Sequence, residues 1–219
     1  KEYYDNGKLK FEGEYLNGER NGKGKEYNYN GKLIFEGEYL NGKRNGKGKE
    51  YNYDGELIFE GEYLNGKRWN GKEKEYGDYG KVEFEGELLN GKRNGKAKEY
   101  YYYFGDLKFE GEYLNGKKNG KAKEYYYGEL KFEGEYLNGI KNGKAKEYNG
   151  RVIFEGEYLN GIKNGKGKEY YDNGLFIFEG EYLNGKIWNG KGKEYYSDFN
   201  LLFEGEYLNG KRWNGKGYN

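Results

Sequence analysis

Paired glutamates are the residues of this sequence whose type and spacing could do chemistry. Glu12 and Glu14 stand two residues apart, and the same pair recurs in nine copies of a Phe-Glu-Gly-Glu segment. Two carboxylates held close together could act as acid and base in glycoside hydrolysis. However, a catalytic pair would not be needed nine times, and lysines such as Lys23 and Lys25 are available as partners. We therefore interpret these glutamates as one half of a solvated salt-bridge face.

Residues that usually carry nucleophilic or acid–base catalysis are almost missing. The sequence has no His and no Cys, it has no Thr, and its one serine is Ser197 in a turn-like stretch. Oxygen-rich Ca²⁺ sites need clustered acidic residues, whereas Asp54, Asp106 and Asp172 are isolated. We predict no catalytic residue, no metal site and no cofactor, and therefore no enzyme.

A repeated segment organises the whole chain. The nine Phe-Glu-Gly-Glu copies are spaced 22 to 25 residues apart, a period typical of proteins whose repeats bury their apolar faces against neighbours. Aromatic residues make up 20% of the chain, enough to build a packed spine at a fixed period. We predict a single tandem array over residues 1–219 that is a segment of a longer array. Its repeats begin near Leu9, Leu33, Leu57, Val82, Leu107, Leu130, Val152, Phe176 and Leu201.

Each repeat has the pattern of strand, turn, strand and turn. Residues 33–39 alternate apolar and charged side chains with period two, as a half-buried strand does. Asn41-Gly42 and Asn45-Gly46 bracket a short connection, and Asn-Gly is a strong hairpin signal. Residues 47–51 form the return strand, and a looser second turn leads into the next repeat. The sequence therefore predicts an all-β fold.

The charges and glycines also predict how the two strands of a repeat pair. Closing the turn places Glu12 opposite Lys25 on one face, and Gly13 opposite Gly24 on the other face, where neighbouring rings can fill the trough. Only small residues fit at the Gly24 position. The third repeat has Glu73 there, so we expect local strain or splaying in that repeat.

Residues 35–48 resemble a MORN repeat. They read Phe-Glu-Gly-Glu-Tyr-Leu-Asn-Gly-Lys-Arg-Asn-Gly-Lys-Gly, with an aromatic, a spaced glycine, a second aromatic, a turn glycine and a Gly-x-Gly. The resemblance covers essentially the whole chain as nine tandem repeats, and the ending Gly-Lys-Gly-Lys-Glu-Tyr is similar to the divergent bacterial and protist branch. It implies an all-β, elongated, single-layer antiparallel sheet of consecutive β-hairpins, a solenoid-like ribbon.

A scaffold for protein interaction or structural assembly is the first function class. Large aromatic side chains are favoured at interfaces. The alternative for the tyrosines is that they stack on one another as the spine, whereas the tryptophans are insertions that the repeat does not need. The candidate interaction surface comprises Trp69, Trp188, Trp213, Tyr39, Tyr63, Tyr113, Tyr136, Tyr158, Tyr182 and Tyr207.

Self-association is a further form of the scaffold hypothesis. The first residues of the chain and residues 215–217 are complementary halves of one repeat, so the ends of two molecules could join, or the chain could form a dimer. A protein partner or self-association is the predicted mode of action.

Membrane association is the second class, and it follows from the family resemblance, since the family name stands for membrane occupation and recognition nexus. Recognition of anionic lipids needs clustered basic residues. Ile140, Ile162 and Ile187 interrupt such a stripe in later repeats, so the scaffold ranks first. A weaker alternative is an antitoxin-like protein, as in some bacterial members. The candidate lipid-facing basic edge comprises Lys43, Arg44, Lys67, Arg68, Lys92 and Arg93.

Charge and hydropathy limit the remaining classes. The formal net charge is +1, with both signs alternating within every repeat, so we expect no nucleic-acid partner. The sequence has no apolar run long enough to span a bilayer and no signal-like segment, which slightly favours the cytoplasm without deciding the compartment.

Overall fold

The computed structural model describes residues 1–218, and Asn219, the last residue of the predicted array, lies outside the described residues. The described chain is built of strands and turns, which confirms the predicted all-β class. None of its described segments is a helix that is long and apolar enough to cross a membrane. The strands are β1 (Glu2–Tyr3), β2 (Leu9–Leu16), β3 (Glu19–Tyr27), β4 (Leu33–Leu40), β5 (Lys43–Tyr51), β6 (Leu57–Leu64), β7 (Lys67–Tyr76), β8 (Val82–Leu89), β9 (Lys92–Tyr100), β10 (Leu107–Leu114), β11 (Lys117–Tyr126), β12 (Glu129–Leu137), β13 (Ile140–Asn149), β14 (Arg151–Leu159), β15 (Ile162–Tyr170), β16 (Phe176–Leu183), β17 (Lys186–Tyr195), β18 (Leu201–Leu208) and β19 (Lys211–Gly217).

The strands belong to two compact units. Unit 1 contains Lys1–Asp106 and Tyr113–Lys117, and unit 2 contains Leu107–Glu112 and the residues from Lys118 onward, so β10 has residues in both. In unit 1, consecutive strands pair antiparallel, from β1 with β2 to β8 with β9. In unit 2, β11 to β19 do the same. The predicted antiparallel sheet of consecutive hairpins is confirmed within each unit.

The first turn of each repeat is a two-residue Asn-Gly turn. Asn41 and Gly42 both have positive φ, 48° and 75°, which gives a turn whose twist matches that of the flanking strands. The sequence placed Asn45-Gly46 in this connection, and that prediction was wrong. Asn45-Gly46 lies inside β5, because the chain already reverses at Asn41-Gly42 and the ladder resumes at Lys43.

This second Asn-Gly forms a bulge in β5. Gly37 pairs with Gly48, whereas Tyr39 pairs with Arg44, so Glu38 alone lies opposite the three residues between Arg44 and Gly48. The Glu38 carboxylate accepts a backbone N–H of the bulge at 3.0 Å. The side chain thus satisfies a donor that the interrupted ladder leaves without a strand partner.

The same bulge holds the first turn of the following hairpin. The backbone N–H of Gly66 donates to the Arg44 carbonyl at 2.8 Å, and the N–H of Asn65 donates to the Asn45 side-chain oxygen at 3.2 Å. The second Asn-Gly recurs along the chain, and this contact joins each bulge to the hairpin that follows it; for example, the Asn184 N–H donates to Asn164 at 3.1 Å.

The predicted register is confirmed in the first hairpin, where Glu12 pairs with Lys25 and Gly13 pairs with Gly24. The third repeat differs, because the inserted Trp69 changes the bulge. There Gly61 pairs with Gly71 and Phe59 pairs with Glu73, which moves the hairpin register by two residues.

The sequence suggested that Glu73 would be forced into the glycine trough of its own hairpin. It is not, because Gly71 takes the place opposite Gly61. The Glu73 carboxylate pairs with the Arg68 guanidinium at 2.7 Å, and only 8% of the residue is exposed. Because of the extra residue in the bulge, Glu73 takes the position that Glu50 has in the preceding hairpin, next to an arginine. In its own hairpin, Glu73 thus forms an ion pair instead of facing Gly61.

The core is a row of phenylalanine rings that lie over paired glycines. Phe35 has no exposed surface, and a Cβ added to Gly48 would lie 2.6 Å from its ring, so the missing side chain is what makes room. The Phe35 ring packs edge to face against Tyr39 at 5.5 Å and Tyr63 at 5.1 Å between centroids. The other fully buried rings are Phe11, Phe59, Phe84, Phe109, Phe132, Phe154 and Phe178.

Candidate interaction surface

The face that carries the rings is covered by cations. The Arg44 guanidinium lies 4.1 Å from the Phe35 ring centroid, and it pairs with Glu26 at 2.5 Å and Glu50 at 3.1 Å. Arginines and glutamates of similar exposure thus lie side by side over the rings and neutralise each other. The equivalent cations over phenylalanine are Arg20, Arg68, Arg93, Lys118, Lys141, Lys163 and Arg212.

These pairs change the proton affinities of the glutamates. The hydrogen bond from Arg20 lowers the pKa of Glu2 to about 2, although burial opposes this shift. Burial alone would raise the pKa of Glu50, but the bonds from Arg68 and Tyr63 outweigh it and hold that pKa below its usual range. Burial is also the main reason why the pKa of Tyr63 is raised.

Stability is expected to fall as the pH drops through the acid range. A carboxyl whose pKa is lower in the folded than in the unfolded state stabilises the fold above the unfolded value, about 4.3. That contribution is lost as the pH falls toward the folded value, which is about 2 for Glu2. Urea denaturation between pH 7 and pH 2 measures it, and Glu50→Gln should reduce the pH dependence. A urea midpoint that does not move with pH would contradict this assignment.

The strand tyrosines of the candidate surface lie in the core. Each packs edge to face on phenylalanine rings, and every hydroxyl except that of Tyr39 reaches a glutamate, as Tyr63 does with Glu50 at 2.9 Å. The buried Tyr39 hydroxyl has no hydrogen-bond partner among the described residues. These side chains are only 4–7% exposed, which is the position of a spine and not that of an open surface. They are Tyr39, Tyr63, Tyr113, Tyr136, Tyr158 and Tyr182, while Tyr207 is half-buried.

The three tryptophans lie in the bulges, and their exposure differs. Trp69 and Trp188 are half-buried. Each lies beside the first-turn glycine of the next hairpin, since a Cβ on Gly91 would be 3.6 Å from the Trp69 ring and one on Gly210 would be 3.7 Å from the Trp188 ring. Trp213 is 70% exposed. Of the three, Trp213 offers the largest accessible ring.

The candidate basic edge separates into two sets. The lysines stand exposed at the first turns, whereas the arginines turn onto the ring face and bind glutamates there, as Arg68 binds Glu50 at 2.7 Å. An arginine held in this way is not available to a lipid phosphate. The exposed set is Lys43, Lys67 and Lys92, and the engaged set is Arg44, Arg68 and Arg93.

The opposite face carries the glutamates and lysines that opened the sequence analysis. The Lys25 ammonium lies 3.7 Å from Glu36 of the next hairpin, and Glu36 also accepts the Tyr51 hydroxyl at 3.0 Å. Lys49 and Glu60 repeat this contact at 3.2 Å. Between the charged rows, glycine backbones form the floor of an open groove. In these Glu-Gly-Glu segments, the first glutamate thus forms an ion pair with a lysine of the preceding hairpin, as expected for a salt-bridge face. Each exposed ion pair contributes about 0–1 kcal/mol to stability.

A set of exposed aromatic side chains that the sequence analysis missed lies at the second turns. Tyr53, for example, is 78% exposed. The available signal was position, because each member follows the Lys-Glu-Tyr segment of a return strand. Tyr126 is the last residue of β11, and the other members lie beyond the strand ends. We call this set the turn aromatics. It comprises Tyr29, Tyr53, Tyr79, Tyr102, Tyr103 and Phe104 in unit 1, and Tyr126, Tyr127, Tyr171, Tyr196 and Phe199 in unit 2.

A sequence model of one protein family, described as MORN repeat, matches seven segments of the chain: residues 11–32, 35–56, 84–102, 109–128, 132–150, 154–176 and 178–200. The nine repeats counted from Phe-Glu-Gly-Glu exceed these seven, since those that begin near Leu57 and Leu201 are unmatched. Both nevertheless form hairpins, β6 with β7 and β18 with β19. No curated protein matches the chain.

Proposed function

This chain belongs to the MORN-repeat family, and on that premise we propose that it is a non-enzymatic scaffold that binds a protein partner, or another copy of itself, through its turn aromatics. The contrast between two sets of tyrosines carries this proposal. The strand tyrosines are packed in the core, whereas turn tyrosines such as Tyr53 and Tyr79 are 78% and 62% exposed. Tyrosine offers a large contact area at low entropic cost, which is why it is enriched at interfaces.

The repeat architecture supports this role. Each hairpin pairs with its neighbours, so the second turns within a unit present their side chains at regular steps along one margin of the sheet. A partner can then contact several turns at once, and the contacts add without any change in the core. Ion pairs cover the glutamate–lysine face, and engaged arginines cover the ring face, so the exposed apolar surface of unit 1 lies mainly at its turns. There the turn aromatics are the exposed rings, beside single leucines at the first turns.

Selection of binders from a displayed random-peptide library against the whole chain tests the proposal. Two variants are compared with the wild type. The turn variant replaces five turn aromatics with serine: Tyr53, Tyr79, Tyr102, Tyr103 and Phe104. The lysine variant replaces three exposed first-turn residues with glutamine: Lys43, Lys67 and Lys92.

We expect enriched peptides that bind the wild type and the lysine variant equally and lose at least about tenfold in affinity for the turn variant. Light scattering over a concentration series detects self-association, which should weaken in the same variant. Peptides that bind all three proteins equally would contradict the proposal. So would the absence of both enriched peptides and self-association.

Membrane binding is decided by the same variants in vesicle co-sedimentation. Saturable and salt-sensitive binding to phosphoinositide-containing vesicles, lost in the lysine variant and retained in the turn variant, would overturn the scaffold proposal in favour of a peripheral lipid-binding module.

A further inference from the structure

Four turn aromatics of unit 1 gather into one exposed cluster. Tyr103 lies at its centre, with ring centroids 5.3 Å from Tyr79, 6.1 Å from Tyr102 and 5.0 Å from Phe104. Tyr79 belongs to one second turn and the other three to the next, so the cluster bridges two repeats. All four residues are 58–62% exposed. Rings that meet edge to face at these distances leave shallow clefts between them.

The charged side chains around this cluster are mainly acidic. Asp78 precedes Tyr79, and Asp106 closes the other turn; both are exposed. The Glu83 carboxylate lies against Gly77, at the start of the turn that carries Tyr79. Lys81 is the basic residue of these two turns, and its side chain lies against Gly105 in the turn that carries Tyr103. Lys108 stands in β10 at the position that Glu83 has in β8, so these residues are three acidic and two basic. The rim of the cluster therefore keeps a net negative charge and favours a cationic ligand.

We propose that this cluster binds a proline-rich segment of another protein in the polyproline II conformation, with an arginine or lysine beside the prolines. The inference rests on the proposed scaffold function and specifies its ligand. A polyproline II segment has no internal hydrogen bonds, so its carbonyls are free to accept from the hydroxyls of Tyr79, Tyr102 and Tyr103. Its proline rings fit clefts between aromatic side chains, and its stiffness keeps the entropic cost of binding low.

Two features of the chain argue against other occupants. Residues 1–219 contain no proline, so these residues of a second copy cannot supply this ligand. A membrane surface would bring anionic headgroups against Asp78 and Asp106, which is electrostatically unfavourable. The acidic rim that disfavours lipid is the same feature that selects a basic residue in the peptide.

Fluorescence anisotropy with labelled peptides tests this inference on the whole chain. The probes are an oligoproline with an arginine at each end, the same oligoproline with a glutamate at each end, and a Gly-Ser peptide with terminal arginines. We expect saturable binding of the first peptide only, and a loss of about tenfold in affinity with Tyr103→Ser. Tyr3→Ser, which changes a tyrosine of similar exposure that is not one of the turn aromatics, should leave the affinity unchanged, and circular dichroism should show both variants folded.

Absence of oligoproline binding, equal binding of the Gly-Ser peptide, or equal binding to Tyr103→Ser would each overturn the inference. Vesicle binding that is lost in Tyr103→Ser, without peptide binding, would assign the cluster to lipid instead and overturn it as well. If the library selection returns turn-dependent peptides without proline, the scaffold proposal stands and only the choice of ligand fails. If it returns no turn-dependent peptides and light scattering detects no turn-dependent self-association, the scaffold proposal itself fails.

Discussion

Replacing Phe35 with alanine is expected to lower the free energy of unfolding by about 3–5 kcal/mol. The ring has no exposed surface, packs on Tyr39 and Tyr63, and lies beneath Arg44. The residues beneath the ring are glycines, which have no side chain that could collapse into the cavity. Arg44 would also lose the ring over which it is held. Urea denaturation of the whole chain, followed by circular dichroism, measures the change.

Tyr53→Ala is the control for this experiment. It removes an aromatic ring of similar size from an exposed turn of the same unit, and surface substitutions of this kind usually change stability by less than about 0.5 kcal/mol. If Phe35→Ala were no more destabilising than Tyr53→Ala, the buried row of rings would not be the element that stabilises the array.

Gly37→Ala is expected to lower the free energy of unfolding by about 2–3 kcal/mol. A Cβ at this position would lie 2.6 Å from the Gly48 Cα, 2.6 Å from the Lys47 carbonyl oxygen and 2.7 Å from the Phe35 ring. Two of these three atoms belong to the backbone of the paired strand, which cannot move aside without breaking the ladder. Thermal and urea denaturation detect the loss.

Gly48→Ala, on the opposite strand, is the matched control. Its added Cβ would meet Phe35 ring atoms at 2.6 and 2.7 Å, whereas the nearest backbone atom, the Glu36 carbonyl oxygen, is 3.3 Å away. A ring can tilt where a backbone cannot. The chain itself has alanine at this position in three repeats, and these alanines are buried beside an intact glycine partner. We expect a loss of about 1 kcal/mol or less. Equal losses of stability in Gly37→Ala and Gly48→Ala would contradict the expectation that the trough is more constrained at Gly37 than at Gly48. The three natural alanines are Ala97, Ala122 and Ala145.

The strand register could be predicted from the sequence because two independent patterns agree on it. Alternation of apolar and charged residues fixes which face each side chain takes, and the pairing of Gly13 with Gly24 is the arrangement that also brings Glu12 to Lys25. The bulge could not be predicted in the same way. Asn45-Gly46 carries the same turn signal as Asn41-Gly42, and only the hydrogen-bond ladder decides which of the two reverses the chain.

The candidate surface was harder to predict because residue type does not report burial. Tyr63 and Tyr53 are the same residue ten positions apart, yet one is 4% and the other 78% exposed. A strand tyrosine is buried by rings from its own and the neighbouring hairpin, a contact that no single repeat contains. Turn residues lie outside any periodic pattern, so their exposure follows from the path of the chain and not from the alternation that identifies strands.

The bond from Gly66 to the preceding hairpin also bears on the chemical ageing of the chain. Asn-Gly is the dipeptide most prone to deamidation, in which the glycine amide nitrogen attacks the asparagine side-chain carbon and ammonia leaves. Here the Gly66 amide is engaged by the Arg44 carbonyl, and Asn65 is fixed at a φ of 51°. Each hairpin thus restrains the reactive amide of the next, so deamidation at these turns would record how often neighbouring hairpins come apart.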